Sequence, residues 1–286
     1  MKVYFKIQTA APNDIYHMGP ACGLSFIKET LPFVYKRYMK GIIGTENFGI
    51  LPLLDKVEKK GEHNMDLLEA IEKRHSVRSY LDKKIEGEVL ICLKEQIAAC
   101  NKESGLRFQL VIDEPEAFSG MMARYGKFHN VKNYIALIGE KSENLEENIG
   151  YYGEKIAIFA QQLGLNTCWV AMTYKKGNAK KLLKEGEKVV CILAIGYGST
   201  QGVPHRSRSM VDLCSIEDGL MPGWFRQGME AAMLAPTAMN QQKFFVNLAD
   251  QKVEFVRKKG PYTKVDLGIV KYHFEVGAGK ENFSWL

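Results

Sequence analysis

The sequence predicts an α+β fold in which helices and strands form two related half-modules. From Met65 onward, amphipathic helical patterns alternate with short apolar runs that are typical of strands. The segment KVVCILAIGYG (188–198) is rich in β-branched residues, which predicts a central strand. The order helix, loop, strand in EQIAACNKESGLRFQLV recurs in EAAMLAPTAMNQQKFFV, and this recurrence indicates an internal repeat.

The first half-module is predicted to span residues 65–198. It opens with a short helix that has Asp66 near its start and apolar residues at helical spacing after it. A second helix is predicted from Glu88 to Cys100. The alternating segment RFQLVID and the apolar segment NYIALIGE (133–140) are each predicted to form a strand.

A long, largely buried helix is predicted over residues 146–164. Apolar side chains recur there at steps of three and four residues, namely Ile149, Tyr152, Ile156, Phe159 and Leu163. Gly164 follows as a signal for the helix C-terminus. The segment TCWVAMTY and a lysine-rich helix then lead to the central strand.

The second half-module is predicted to span residues 199–286. Its elements are a helix in WFRQGMEAAMLA, strands in KFFVNLAD and VEFVRKK, and a helix in DLGIVKYHFEVGAG. Residues 1–64 are predicted to be an N-terminal extension of unknown role. Within them LLDKVEKKGEHN is typical of a charged connector.

The composition indicates a globular protein without a membrane span. The chain has 286 residues, of which 46% are hydrophobic and 25% are charged. No window of uncharged apolar residues is long enough for a membrane helix. The first residues have too short an apolar run for a secretory signal, so we expect a cytoplasmic protein.

Charge and metal-binding residue types bear on two further classes of function. The formal net charge is +6, with lysine and arginine interleaved with acidic residues, and charge alone does not decide between nucleic acid and a bound anionic phosphate. We expect no nucleic-acid partner. The six cysteines form no C-x-x-C pair and the six histidines form no H-E-x-x-H pattern. We therefore expect no metal, and reduced, mostly buried thiols.

A basic segment follows the first predicted helix and is a candidate anion site. Within it, Arg74, Ser76 and Arg78 place two guanidinium groups and a hydroxyl around a helix end. Such groups can hold a phosphate by charge-assisted hydrogen bonds and leave one cation for a second acceptor. The alternative is an exposed basic helix end without a ligand.

A polar loop joins a helix to a strand in the second half-module. Pro236 ends the helix, and the loop then runs through Thr237, Asn240 and Gln242. Their side chains offer donors and acceptors that can bind the edge of a planar polar ring. The alternative is that the Asn and Gln side chains only satisfy backbone groups of the loop.

A glycine pair and a basic cluster follow the central strand. Gly196-Tyr197-Gly198 does not continue as a dinucleotide-binding motif, because the next glycine is Gly202 and Pro204 interrupts any helix. Two arginines follow in the segment PHRSR (204–208). They predict a basic strand end that closes over a phosphate, or else solvated surface charges.

Taken together, these features resemble the nitroreductase superfamily, whose modules open with R-x-S-x-R and use a P-S-x-x-N-x-Q loop. The resemblance covers Met65 to Phe283. It is strongest to the TM-type nitroreductase branch, in which related halves share one chain. The ending of that branch, D-x-G-I-x-x-x-H-F-E-x-G-A-G, is found at 266–279. His273 in this ending is expected to be a packed helix residue.

The resemblance implies one FMN site, built from both halves of a pseudo-dimer with mostly antiparallel sheets packed by helices. On the phosphate, ribityl and pyrimidine side it implies Arg74, His75, Ser76, Arg78, Arg206 and Arg208. On the ring side it implies Pro236, Thr237, Ala238, Asn240 and Gln242. Over the other face it implies Thr167, Trp169, Val170 and Ala171. In the first half the place of the loop is held by Cys100-Asn101-Lys102-Glu103. The second pseudo-site lacks the arginine segment and is expected to be empty.

The resemblance also implies an oxidoreductase that passes electrons from NADH or NADPH to a nitroaromatic or quinone in a ping-pong mechanism. Arg78 is the catalytic candidate, since a cation at the N1–C2=O edge stabilises the charge of reduced flavin. A monomer is expected to suffice for this site, although a homo-oligomer is compatible with it. The alternatives are a non-catalytic flavin-binding or sensor protein and a basic nucleic-acid adaptor.

Overall fold

The computed structural model describes residues 65–286, so the expected N-terminal extension at 1–64 lies outside the described residues. Seven α-helices form within the described part. They are α1 (Leu67–Lys73), α2 (Gly87–Ser104), α3 (Met121–Tyr125), α4 (Leu145–Gln162), α5 (Lys176–Lys180), α6 (Gly223–Met233) and α7 (Thr263–Ala278). The boundary between half-modules at 198/199 stays a prediction.

The first sheet contains four antiparallel strands in the order β1-β2-β4-β3. These strands are β1 (Gln109–Val111), β2 (Asn133–Glu140), β3 (Asn166–Val170) and β4 (Glu187–Gly196). The strand β4 lies between two partners, as its apolar run predicted. Leu193, for example, is opposite Ile135 on one side and Trp169 on the other.

Both faces of this sheet are covered, which explains why β2 and β4 are apolar at successive positions. Leu193 and Ile195 point into a core shared with α4 and the second half of the chain. Ile192 and Ala194 point into a second core, which includes Phe118 and other side chains from the segment between β1 and β2. Successive side chains of β4 therefore contribute to two different hydrophobic cores.

The second sheet is smaller and has the order β5-β6-β7. Its strands are β5 (Phe244–Ala249), β6 (Lys252–Arg257) and β7 (Ser284–Trp285). The first two pair antiparallel and the last pairs parallel with β6. Together the two sheets confirm the α+β prediction of mostly antiparallel sheets packed by helices.

Two glycines allow α4 and α7 to touch through their backbones. A Cβ atom at Gly268 would lie 1.9 Å from the carbonyl oxygen of Glu147, and one at Gly150 would lie 2.0 Å from that of Val265. On its other side α7 touches α6, because a Cβ at Gly277 would lie 2.5 Å from the Gln227 oxygen. The helix α7 is therefore enclosed between α4 and α6, and most of its residues are buried.

The two glycines at this crossing occupy equivalent positions in their helices. Gly150 is the sixth residue of α4, which begins at Leu145, and Gly268 is the sixth residue of α7, which begins at Thr263. The equivalent positions are what two related halves would produce.

The predicted strand RFQLVID is shorter in the structure than in the sequence analysis. The assigned strand begins at Gln109, although the Arg107 N–H still donates to the Ile138 carbonyl of β2 at 2.9 Å. On the outer side Asn101 satisfies the backbone of Phe108, accepting from its N–H at 2.7 Å and donating to its carbonyl at 3.0 Å. The preceding helix is longer than predicted and continues to Ser104. It ends there because Gly105 adopts the left-handed conformation, with φ 71°.

Four cysteines are free and buried, as expected: Cys100, Cys168, Cys191 and Cys214. The expectation of reduced thiols is wrong for Cys92, which is disulfide-bonded. Among residues 65–286, no helix combines the length and the apolar character needed to cross a membrane.

We expect Gly268→Ala to lower the free energy of unfolding by about 3 kcal/mol, because its methyl group would collide with the α4 backbone. Gly177→Ala is the matched control, since a Cβ there meets nothing within 4 Å. That control should change stability by less than about 1 kcal/mol. Urea denaturation followed by circular dichroism measures both. Equal stability of the two variants would contradict the backbone contact.

Candidate functional site

The arginine segment (74–80) leaves α1 and is fixed against the end of the first sheet. The Val77 N–H donates to the carbonyl of Thr167 in β3 at 3.0 Å, and the Leu81 N–H donates to that of Tyr197 at 2.8 Å. Tyr80 is buried and its hydroxyl donates to the Val77 carbonyl at 2.7 Å. The backbone of this segment is therefore held in place, while the Arg78 side chain remains exposed.

Arg74 is buried, not part of an exposed helix end. Only 3% of this residue is exposed, and its Nε lies 3.3 Å from Oε1 of Glu154, which is fully buried. The Nε and Nη1 atoms of Arg74 have no hydrogen-bond partner. The Nε side faces the Glu154 carboxylate, whereas Nη1 is a buried donor that an acceptor group of a ligand would satisfy.

Glu154 is the centre of a buried polar network. Its Oε2 accepts from the Trp169 indole at 2.7 Å, and its Oε1 lies 3.0 Å from His273 Nε2. Burial acts to raise the pKa of Glu154, but the Arg74 charge and the hydrogen bonds from His273 and Trp169 outweigh it. The pKa of Glu154 therefore lies below its ordinary value, and the carboxylate is ionised.

His273 is buried in α7, as expected, but it also belongs to this network. Its Nδ1 lies 3.1 Å from the carbonyl oxygen of Ala231, and its Nε2 faces the Glu154 carboxylate. His273 therefore links α7 to α6 through the Ala231 carbonyl and to α4 through the Glu154 carboxylate.

The segment 202–208 connects the arginine segment to α6. A Cβ at Gly202 would lie 2.7 Å from the His75 Cβ, so the two chains are in direct contact. Farther along, His205 Nε2 lies 2.9 Å from the Met233 carbonyl oxygen at the end of α6. Burial, followed by the charge of Arg74, lowers the pKa of His75, and burial is also the largest cause of the lowered pKa of His205.

The same segment is hydrogen-bonded to the polar loop (236–242). The carbonyl of Arg206 accepts from Asn240 Nδ2 at 3.0 Å and from Gln242 Nε2 at 2.8 Å. The Arg208 N–H donates to Gln242 Oε1 at 2.7 Å. These Asn and Gln side chains thus satisfy backbone groups, as the alternative interpretation held. The side chains of Arg206 and Arg208 are exposed.

The polar loop is held by Asp266, a residue in α7. Its Oδ1 accepts from the Ala238 N–H at 2.8 Å, and its Oδ2 accepts from Gln241 Nε2 at 2.7 Å. Thr237 contributes from within the loop, since its Oγ1 accepts from the Gln242 N–H at 3.1 Å. Burial raises the pKa of Asp266 to about 6, against the lowering effect of its two hydrogen bonds.

The third part of the site is β3, where Thr167 lies beside Ser76 in a parallel bridge. Thr167 is 1% exposed, and its Oγ1 has no hydrogen-bond partner. The predicted residues Val170 and Ala171 follow, the first buried and the second partly exposed. Pro236 and Ala238 of the loop are also partly exposed.

The structure therefore brings the predicted segments together in one continuous chain of contacts. The arginine segment contacts β3 and the segment 202–208, and the latter is bonded to the polar loop. The unpartnered atoms of Arg74 and Thr167 lie within this arrangement. They fit a ligand that is anionic and rich in acceptors, which is the chemistry of a flavin mononucleotide.

Glu154 and Asp266 were missed by the sequence analysis, although signals for both exist. Glu154 is a carboxylate among mostly small and apolar buried residues of its helix, with Gly153 and Ala157 as buried neighbours. Asp266 opens the terminal motif whose resemblance was noted. In the part of the chain that is described, no group of three or more His, Cys, Asp or Glu side chains could hold a metal ion.

Comparison with known proteins gives a family match. The family described as "Putative TM nitroreductase" matches residues 66–278. The crystal structure of a "putative nitroreductase" from Thermotoga maritima is 23% identical, with a TM-score of 0.57, and the alignment covers 77% of this chain and 87% of that one. This likeness supports the fold. No curated protein matches the sequence.

Two further structures are similar over about half of the chain. An "FMN-dependent Nitroreductase" from Clostridium difficile is 21% identical, covering 50% of this chain and 92% of that one, with a TM-score of 0.39. A "putative nitroreductase in complex with fmn" from Desulfovibrio desulfuricans is 18% identical, covering 51% and 93%, with a TM-score of 0.41.

The buried carboxyl of Asp266 predicts a pH dependence of stability. The folded protein holds the carboxyl proton of Asp266 more tightly than the unfolded chain does, since the pKa of Asp266 is about 6 against an ordinary 3.8. The free energy of unfolding should therefore fall as the pH rises through this window, by at most about 1.4 kcal/mol per pH unit.

Asp266→Asn should flatten this dependence, because the amide does not titrate. Chemical denaturation at four pH values across the window measures it, with the exposed Asp212→Asn as the matched control. Asp212→Asn should keep the slope of the unaltered protein. A slope in Asp266→Asn as steep as in the control would show that Asp266 is not the group responsible.

Proposed function

The chain belongs to the family described as "Putative TM nitroreductase", whose match spans residues 66–278, and on this premise we propose that it is an FMN-dependent oxidoreductase. We propose that NADH or NADPH is its electron donor. A small oxidised molecule of the nitroaromatic or quinone type is the proposed acceptor. The two half-reactions follow a ping-pong order, since one cofactor site serves both substrates in turn.

The observation that carries this proposal is the buried guanidinium of Arg74, which is ion-paired with Glu154 through Nε but has a further donor, Nη1, without a partner. The Thr167 hydroxyl is also buried without a hydrogen-bond partner. Removing such donors from water without a partner costs roughly 1–3 kcal/mol each. A ligand with oxygen acceptors would satisfy them. FMN, which two similar structures are described as depending on or containing, is a ligand of this kind.

FMN, when bound, supplies the capacity to accept a hydride and release the two electrons to a second molecule. The chain would hold it between its two halves. Arg206 and Arg208, which are exposed, would bind the phosphate together with Arg74. His75 and Ser76 would lie along the ribityl chain. The polar loop would contact the ring from the opposite side through Pro236, Thr237, Ala238, Asn240 and Gln242.

Asn240 and Gln242 would act mainly by shaping the loop, because their side chains are already bonded to the Arg206 carbonyl. The β3 strand would cover the other ring face with Trp169, Val170 and Ala171. Trp169 is oriented by its hydrogen bond to Glu154. Arg78 is the proposed catalytic residue. Its exposed side chain forms no hydrogen bond or ion pair with residues 65–286, so it is free to turn toward the pyrimidine edge.

We also propose that the site is complete within one chain and that the protein acts in the cytoplasm without a nucleic-acid or membrane partner. The support for a one-chain site is that segments of both halves contact each other directly through 202–208. The interleaved charges of the sequence support the absence of a nucleic-acid partner.

The proposed function predicts that the purified protein binds FMN and that NADH or NADPH bleaches it. Arg78→Ala should slow flavin reduction about tenfold or more at full occupancy, which corresponds to about 1.4 kcal/mol. Stopped-flow absorbance measures the rate. Arg124→Ala removes another exposed arginine and should leave the rate unchanged. Bound FMN that neither nucleotide reduces would instead indicate a non-catalytic flavin protein.

The one-chain site predicts that complementary variants cannot rescue each other. One chain carries Arg74→Ala and Arg78→Ala, and the other carries Thr237→Ala and Asn240→Ala. Each should bind FMN about tenfold more weakly or worse. An equimolar mixture, refolded together, should bind no better than either alone in a fluorescence titration. Recovery of tight binding would show that the site forms between chains.

A further inference from the structure

A small cavity at the other end of the first sheet is lined mainly by lysines. Its volume is about 160 Å³, and four of its lining residues are Lys141, Lys176, Lys180 and Lys188. The apolar side chains of Leu183, Val189 and Val190 complete much of the wall. The cavity adjoins the first residues of β4, whereas the candidate flavin site adjoins the last, at Gly196. The proposed function assigns no role to this cavity.

Three of these lysines have no counter-charge in the described part of the chain. Lys188 is paired with Glu146 at 2.8 Å, but Lys141, Lys176 and Lys180 form no ion pair with residues 65–286. Lys176 and Lys180 are also the first and last residues of α5, four positions apart. Like charges at this spacing lie side by side on a helix and repel each other. An anion between them would remove that repulsion.

One acidic residue lines the cavity, and its charge is already neutralised. The carboxylate of Glu187 accepts hydrogen bonds from the Arg107 guanidinium and from the Lys184 N–H, the latter at 2.6 Å. The hydrogen bond from Arg107 is the largest cause that lowers the pKa of Glu187 to about 2. Glu187 is therefore ionised and committed to Arg107, and it does not serve as the counter-ion of the three lysines.

A buried tyrosine supplies an independent indication of a ligand. Tyr174 lines the cavity, is only 6% exposed, and has no hydrogen-bond partner among residues 65–286. Burial, more than any neighbour, raises the pKa of Tyr174 to about 12, so the hydroxyl keeps its proton. The ring is buried, and the hydroxyl opens to the cavity as a donor without an acceptor among residues 65–286. The three unpaired lysines line the same cavity.

We propose that this cavity binds a phosphate group, with Tyr174 and the three unpaired lysines, Lys141, Lys176 and Lys180, as its donors. Lysine ammonium groups bind phosphate as point charges, and a neutral hydroxyl adds a directed hydrogen bond. The volume is below the roughly 300–1,000 Å³ of pockets for drug-sized ligands. The cavity therefore accepts a free phosphate, or only the phosphate end of a larger molecule.

The test is a titration of the full chain with inorganic phosphate, followed by NMR of lysine-selective ¹⁵N labels. The amide signals of Lys141, Lys176, Lys180 and Lys188 should shift and saturate. Lys176→Gln with Lys180→Gln should weaken the apparent affinity about tenfold or more. Tyr174→Phe, which deletes only the hydroxyl, should weaken it about threefold.

Two double variants serve as controls and should each change the affinity by less than about twofold. Lys94→Gln with Lys102→Gln makes the same charge change on exposed positions of α2. Arg206→Gln with Arg208→Gln removes the two arginines proposed to bind the flavin phosphate. Loss of phosphate binding in this variant would concern the flavin site, whereas loss in the Lys176 and Lys180 variant would concern the cavity. A parallel titration with adenosine monophosphate distinguishes a free phosphate from the phosphate end of a larger molecule. Tighter binding of adenosine monophosphate than of inorganic phosphate would indicate the larger ligand.

Three results would overturn the proposal. The first is a set of shifts that spread over all surface lysines without saturating. The second is an equal loss of affinity in the α2 control and in the Lys176 and Lys180 variant. The third is loss of affinity only when Arg206 and Arg208 are changed, which would assign phosphate binding to the flavin clamp.

Discussion

Direct backbone contact between α4 and α7 is the constraint on which the candidate site depends. It requires glycine at both Gly150 and Gly268, because any side chain there would overlap the opposite backbone. With the helices this close, the His273 ring of α7 reaches the Glu154 carboxylate of α4 at 3.0 Å. The contact also brings together one helix from each predicted half. A fold in which the halves were separated by ordinary side chains would not align these groups.

The polar network around Glu154 fixes the positions of its charged groups. It adds little to the net stability of the fold. Isolating charged groups from water costs several kcal/mol per ion, and an opposite charge offsets this only partly. The network nevertheless joins four elements, since Glu154 is in α4, Arg74 follows α1, Trp169 is in β3 and His273 is in α7. A guanidinium held by a buried carboxylate has little freedom to turn. It can therefore present its remaining donors in one direction.

The polar loop shows how a strained conformation is maintained next to such a network. Met239, Asn240 and Gln242 have φ angles of 54°, 52° and 45°, a left-handed conformation that costs residues with a side chain roughly 1–2 kcal/mol. Hydrogen bonds to Asp266 and to the Arg206 carbonyl offset that cost. The loop is thus shaped by α7 on one side and by the basic segment on the other. Its form depends on both halves of the chain.

The sequence by itself determined most of the helices and strands, though not α3 or β7, and it determined the central position of β4. It also supplied the segments proposed for the candidate site. These features depend on local patterns, such as the apolar spacing from Ile149 to Leu163 and the arginines at 74 and 78. Only the tertiary structure decided which arginine is buried, since Arg74 meets Glu154 across eighty positions of sequence. It also decided that Asp266 holds the loop. Pairings between distant residues depend on how helices pack, and a pattern within one segment contains no information about its eventual neighbours.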